Sequence, residues 1–159
     1  MKILMIAHGF PPECSGGTEF YVLRLCQELR ERGNTVTVLS GSHAAAPPGT
    51  WKPIMDRSEH DGFPIYRVHR TGLYVDNWER SLAPEVEECL QTVLAAERPD
   101  LVHVHHWIRL TRTLIETCHR AGIPAVCTLH DLWTTCPIAF RVREGTLCTR
   151  PVGGDSCLG

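Results

Sequence analysis

Residues 1–40 read MKILMIAHGFPPECSGGTEFYVLRLCQELRERGNTVTVLS, and their patterning decides the fold class. Lys2 to Ala7 is a short, continuously apolar run, the kind that forms a strand buried on both faces of a parallel sheet. A loop rich in Pro and Gly follows and ends at Ser15-Gly16-Gly17-Thr18. Beyond it, Val22, Leu25, Cys26 and Leu29 recur at i, i+3, i+4 and i+7, which lines one face of a helix. Glu19 falls in the first turn and Arg30 and Arg32 in the last, matching the helix dipole, and Gly33 serves as the stop. Thr35 to Leu39 makes a second strand, so the stretch reads as a strand–helix–strand unit.

The rest of the chain repeats that alternation. Residues 43 to 62 carry Pro47, Pro48, Gly49, Pro53 and Gly62 and read as a long surface excursion. Pro64 to His69 is a weakly patterned third strand. Leu82, Val86, Cys89, Leu90 and Val93 mark a helix, with Pro84 near its start and Pro99 beyond its end. Leu101 to His105 reads as a strand, Trp107 to Ala121 as a helix closed by Gly122, and Ala125 to Leu129 as a strand. The expectation is an α/β fold: an open parallel sheet with helices on both faces and right-handed crossovers. After His130 the regularity stops. Residues 130–159 form an irregular, Cys-containing extension of a single domain spanning 1–159, with a hairpin over Phe140 to Cys148 turning at Glu144-Gly145. The chain reads as unfinished.

Composition narrows the function classes. The 159 residues give room for one domain with a sizeable core. Lys plus Arg is 16 and Asp plus Glu is 18, a formal charge of −2, so the basic footprint of a general nucleic-acid binder is missing. The opening apolar run is too short for a signal peptide, and no stretch approaches the roughly 18 apolar residues of a membrane span. The expected location is cytoplasmic, with peripheral membrane contact left open. Of the eight cysteines, Cys26, Cys89, Cys118 and Cys127 sit among apolar residues and read as buried thiols. Cys136, Cys148 and Cys157 lie in the extension. They are three of the four ligands a structural zinc wants, with Cys14 as a further candidate; three unlinked thiols is an equal alternative.

Chemistry is expected where parallel strands end, since ligands of open α/β sheets bind beyond the carboxyl ends of the strands. Three strands finish in polar groups: Ala7-His8-Gly9, His103-Val104-His105-His106 and Leu129-His130-Asp131. His103, mid-strand, reads as a hydrogen-bonded core residue, whereas His130-Asp131 at a strand end reads as functional. Gly16-Gly17 before a helix suits a phosphate, because glycines let the backbone approach and helix-start N–H groups are open. A G-x-G-x-x-G after the first strand, an acidic end to the second strand and a Walker-type loop are all missing, so NAD and ATP are not indicated. A zinc hydrolase reading of the His103–His106 run lacks the expected Asp, and alternation splits its histidines between faces. Arg109, Arg112 and Arg120 read mainly as a solvated helix face; contact with an anionic acceptor or lipid surface is the alternative.

Together these pieces resemble the N-terminal domain of family four glycosyltransferases, retaining enzymes of the GT-B fold. The matching residues are Met1 to Ile6 with Phe10-Pro11-Pro12, Gly16-Gly17-Thr18-Glu19, Leu29 to Leu39, Arg98 to His105, and Gly122-Ile123-Pro124 leading to Thr128-Leu129-His130-Asp131. Leu132-Trp133 to Cys136-Pro137 and Gly145 to Cys148 resemble a cysteine-bearing subgroup. The resemblance implies a Rossmann-like, acceptor-side half of an enzyme that moves a sugar from a nucleotide-sugar donor to a glycan, lipid or small-molecule acceptor. It implies that Gly16 and Gly17 approach the donor diphosphate and that His130 and Asp131 lie by the donor sugar. His8, His105 and His106 would line the cleft, and no metal is required for transfer. The family's paired glutamates belong to a C-terminal nucleotide-sugar domain absent from this chain. Glu79 and Glu87 only mimic their spacing, so this chain alone is expected to be inactive. A non-catalytic glycan or nucleotide-sugar binding module, and a GT-B type sugar-nucleotide epimerase, are the alternatives.

Overall fold

The computed structural model describes residues 1–70, 82–132, 136 and 141–149. They fall into two compact units, Met1–Thr128 and Leu129–Gly159. The first unit is built on six strands: β1 (Lys2–Ala7), β2 (Thr35–Gly41), β3 (Ile54–His60), β4 (Phe63–His69), β5 (Leu101–Val104) and β6 (Ala125–Cys127). Their order across the sheet is β3-β4-β2-β1-β5-β6. Every neighbouring pair is parallel except β3 with β4. β1 lies at the centre, with Ile6 opposite Leu39 of β2 on one side and Val104 of β5 on the other.

Among the described residues, three helices cover the two faces: α1 (Gly17–Glu31), α2 (Pro84–Glu97) and α3 (Leu114–Arg120). Ile3, Met5, Ala7, Val36 and Val38 pack with Val22, Leu23 and Cys26 of α1. Leu4, Ile6, Leu39, Val102 and Val104 pack with Val86, Leu90 and Val93 of α2 and with Leu114 and Cys118 of α3. The period-two alternation of a strand thus splits β1 between two cores. Each aliphatic side chain removed from water contributes about 1.5–3 kcal/mol, so the sheet's centre is its most firmly held part. Among the described residues no helix is long and apolar enough to cross a membrane.

The structure corrects four sequence expectations, one of them that Cys127 is a buried thiol: at the end of edge strand β6 it is exposed. The excursion at 43–62 contains β3, paired antiparallel to β4 through a turn at Asp61 (φ 52°) and Gly62 (φ 75°), so the sheet is mixed at this edge. Residues 107–113 are not helical; α3 begins only at Leu114. Trp107, Ile108 and Leu110 instead pack a turn, in which Arg109 adopts φ 62° and the Thr111 and Thr113 hydroxyls bond each other at 2.9 Å. Leu82, expected on the core face of α2, is exposed, and Ala83 is buried in its place.

The second unit contains a hairpin of β7 (Val142–Arg143) and β8 (Thr146–Leu147). Its turn is at Glu144 (φ 51°) and Gly145 (φ 76°), where the sequence put it. The Cys148 N–H donates to the Arg141 carbonyl at 2.6 Å, and the Arg141 guanidinium donates to the Cys148 carbonyl at 2.9 Å.

Candidate functional site

The strand order reverses at β1, which is flanked by β2 on one side and β5 on the other. Such a switch point leaves a crevice at the carboxyl ends of the strands. His8 leaves β1 there, His105 and His106 leave β5, and His43 follows β2. The His105 N–H donates to the Ile6 carbonyl at 2.8 Å, extending the β1–β5 pairing by one step. The His8 and His106 rings meet at a tilt with centroids 4.5 Å apart, and the His103 and His105 rings do so at 4.1 Å. His105 and His106 are 2% and 7% exposed, so they lie beneath the surface rather than on an open wall. His103 bonds the Thr128 hydroxyl at 2.8 Å, an interior role. Among the described residues, the one His/Cys/carboxylate grouping close enough to hold an ion does not include the His103–His106 run.

The loop from β1 to α1 is held by a network anchored on the buried Arg67. Arg67 on β4 donates to the Phe10 carbonyl at 3.1 Å, the Pro11 carbonyl at 2.8 Å and Glu13 Oε2 at 3.0 Å. Glu13 Oε1 in turn accepts from the Ser42 hydroxyl at 2.5 Å and from the His43 and Ala44 N–H groups at 2.7 and 3.0 Å. Burial pushes the Glu13 carboxyl up, but those donors and the Arg67 charge outweigh it and hold the group below its ordinary value. Nothing in the local sequence signals this link, which joins residues 54 positions apart.

The start of α1 is the open feature. Gly16 is its N-cap and no side chain caps it, so the first-turn N–H groups lack helical acceptors and the positive end of the helix dipole faces outward. A Cβ at Gly16 would stand 2.5 Å from Glu19 Oε2, whereas a Cβ at Gly17 would meet nothing within 4 Å. Glu19 is buried below this turn and takes a 3.0 Å contact from His8 Nε2. Burial, reinforced by His106, brings His8 down to about 4 against the pull of Glu19, so the imidazole is neutral at pH 7. Its Nε2–H donates to Glu19, and its Nδ1 is buried without a partner. The side chain of Arg109 reaches the His8 carbonyl at 3.5 Å. Reading Arg109 as part of a helix face concealed it; five residues past the end of β5, its place in the chain is what brings it here.

His130 and Asp131 belong to the second unit and are each partly buried. Cys136 and Cys148 belong to it as well and are partly buried, while Cys157 lies outside the described residues. Arg112 is exposed. Arg120 pairs with Glu87 at 2.6 Å, and Glu87 also accepts from the Thr113 hydroxyl at 2.5 Å, which gives that glutamate a structural part; Glu79 lies outside the described residues. A small depression of about 230 Å³ between Lys2, Thr35, Thr37, Glu97 and Pro99 sits at the amino ends of β1 and β2, away from the switch point.

The model of Glycosyltransferase Family 4 matches residues 15–148. No curated protein matches the chain in sequence. Solved structures do match in fold. The catalytic domain of Starch Synthase IV from Arabidopsis thaliana, bound to ADP and acarbose, is 13% identical with a TM-score of 0.58, over 82% of this chain and 34% of that one. Sucrose-phosphate synthase from Thermosynechococcus elongatus is 19% identical with a TM-score of 0.54, over 82% and 33%. A trehalose-6-phosphate structure from E. coli bound with UDP-2-fluoro glucose is 9% identical with a TM-score of 0.56, over 91% and 36%. At such identities the likeness is one of fold, the Rossmann-like α/β architecture of GT-B enzymes. The chain spans about a third of the length of these structures.

Proposed function

The chain belongs to Glycosyltransferase Family 4, and we propose that it is the acceptor-side half of a retaining enzyme that transfers a hexosyl group from a nucleotide-sugar donor. A C-terminal domain would supply the nucleotide pocket, so this half alone would not turn over. The observation that carries the reading is the uncapped, glycine-built start of α1 at the switch point of the sheet, inside the matched segment. The ADP and UDP-2-fluoro glucose named with two fold neighbours support a nucleotide-linked donor.

In this reading the N–H groups of Gly16 and Gly17 bind the donor diphosphate. As the bond from the anomeric carbon to the diphosphate breaks, negative charge grows on the leaving oxygen, and N–H donors already in place stabilise it. The acceptor hydroxyl forms the new bond on the same face and its proton passes to the leaving group. His8, backed by His105 and His106, borders the acceptor cleft; His130 and Asp131, in the second unit, are assigned to the donor sugar on the family resemblance alone. Neither a metal nor another cofactor takes part in the transfer.

The test is the whole enzyme incubated with UDP-, ADP- and GDP-hexoses, with and without sugar acceptors. Release of nucleotide only with acceptor, and a product that keeps the donor's anomeric configuration by NMR, supports the reading. Nucleotide release with an epimerised free sugar and no acceptor dependence would replace it with the epimerase reading.

A further inference from the structure

Beneath the glycine turn, three side chains from separate elements meet. The Cys14 thiol, a Glu19 carboxylate oxygen and a His43 ring nitrogen all lie within 4.8 Å of one another, with Cys14 and Glu19 buried and His43 exposed. Cys14 comes from the loop after β1, Glu19 from the first turn of α1 and His43 from the loop after β2. A thiolate, an imidazole and a carboxylate form a borderline-soft donor set that suits zinc, not the all-oxygen shell of magnesium or calcium. At zinc bond lengths of about 2.0–2.3 Å, tetrahedral ligands stand roughly 3.3–3.8 Å apart. The side chains therefore need to close by only about an ångström.

Two further features single out this spot. The backbone presses against the donor atoms where glycine alone permits it: a Cβ at Gly9 would stand 2.8 Å from Cys14 Sγ and 3.0 Å from Glu19 Oε1, and one at Gly16 2.5 Å from Glu19 Oε2. His8 also contacts Glu19 Oε1 at 3.0 Å, an outer-shell hydrogen bond of the kind that orients a ligating carboxylate.

We infer that Cys14, Glu19 and His43 form a binding site for a zinc-like transition-metal ion, three-coordinate from the protein and open at the fourth position. Binding removes the Cys14 thiol proton to solvent as the sulfur–metal bond forms. The ion ties the loops after β1 and β2 to the start of α1. The inference does not rest on the sugar-transfer reading, and it is separate from the Cys136, Cys148 and Cys157 set.

The test uses the purified protein stripped with a chelator and titrated with cobalt(II). The readout is the thiolate-to-cobalt charge-transfer absorption, followed by displacement with zinc. One equivalent binds with a charge-transfer band. Cys14→Ser removes the band, His43→Ala weakens binding at least about tenfold, and the double variant Cys136→Ser, Cys148→Ser leaves both unchanged. His43 is exposed, so its variant keeps the test valid if Cys14→Ser fails to fold. Absence of saturable cobalt binding overturns the inference. So does a band that survives Cys14→Ser, or one lost only in the double variant.

Discussion

Gly17→Ala separates folding from function at the proposed donor site. Gly17 is the first residue of α1, and an added Cβ meets nothing within 4 Å. Replacing a helical glycine by alanine at an unstrained position stabilises by about 0.5–1 kcal/mol, so the variant should melt at or above the wild-type temperature. The open space beside Gly17 is where the diphosphate would sit. A methyl group there withdraws an N–H donor from the anion, and a hydrogen bond to a charged group is worth about 1.5–3 kcal/mol. Nucleoside-diphosphate affinity of the whole enzyme, by calorimetry, should fall about 10- to 150-fold. Gly16→Ala is the control of opposite kind. Its Cβ collides with Glu19 Oε2 at 2.5 Å, so it should lose about 1 kcal/mol of stability by disturbing the His8–Glu19 contact. A Gly17→Ala enzyme that folds well and binds the nucleotide undiminished refutes the assignment of this turn to the diphosphate.

Arg67→Met should cost about 2 kcal/mol by urea unfolding, because it removes the donor to Glu13 Oε2 and to two loop carbonyls; a loss below about 1 kcal/mol would make the network dispensable. Glu87 is held below its ordinary value, first by the Thr113 hydroxyl and then by Arg120. Its contribution is therefore present above the unfolded carboxyl value of 4.5 and lost as pH falls through the depressed folded value. Glu87→Gln should cost about 1 kcal/mol at pH 7, with the gap closing in acid, as denaturation at both pH values will show. Burial raises the Cys26 thiol to about 12 and the Cys118 thiol to about 11. Alkylation mapped by mass spectrometry at pH 8 should leave both unmodified in the native protein while exposed Cys127 reacts.

The elements that were legible are those whose burial is written locally. β1 and β2 are continuous apolar runs, and α1 shows its core face and its glycine stop. β3 was missed because it is an edge strand whose sequence, Ile54 to His60, is mostly polar and mostly exposed, so no alternation marks it. Its signal was the Asp61-Gly62 pair, a hairpin turn with both residues at positive φ. The stretch at 107–113 misled because Trp107, Ile108 and Leu110 carry helix-like spacing while packing as a turn. Strand ends point to His8, His105 and His106, but their meeting in a mostly buried group follows from the sheet order. The meeting of Cys14 and Glu19 with His43 depends on β1 and β2 lying side by side, with Ala7 opposite Ser40, which no short motif records.

Under the proposed function, opposing charges meet at the glycine turn. A diphosphate approaching α1 meets the helix dipole, but Glu19 lies directly below, and neutral His8 does nothing to cancel it. Arg109 brings a fixed positive charge to this place: it reaches the His8 carbonyl, and its charge adds to burial in lowering both His8 and His43. Arg109 also holds φ 62°, a left-handed conformation that costs a non-glycine residue about 1–2 kcal/mol. Strain of this kind persists where surrounding structure enforces it, commonly at functional sites. Arg109→Gly removes the strain and the charge together. The relief offsets the roughly 0.5–1 kcal/mol entropy cost of glycine, so thermal stability should stay within about 1 kcal/mol of wild type. Nucleotide affinity should drop about tenfold at low ionic strength, with the difference shrinking in high salt as screening weakens the lost attraction. In chelator-treated enzyme, where no ion offsets Glu19, an Arg109→Gly variant with unchanged affinity at low salt would leave the helix dipole alone against that carboxylate, and the diphosphate would have to bind away from this turn.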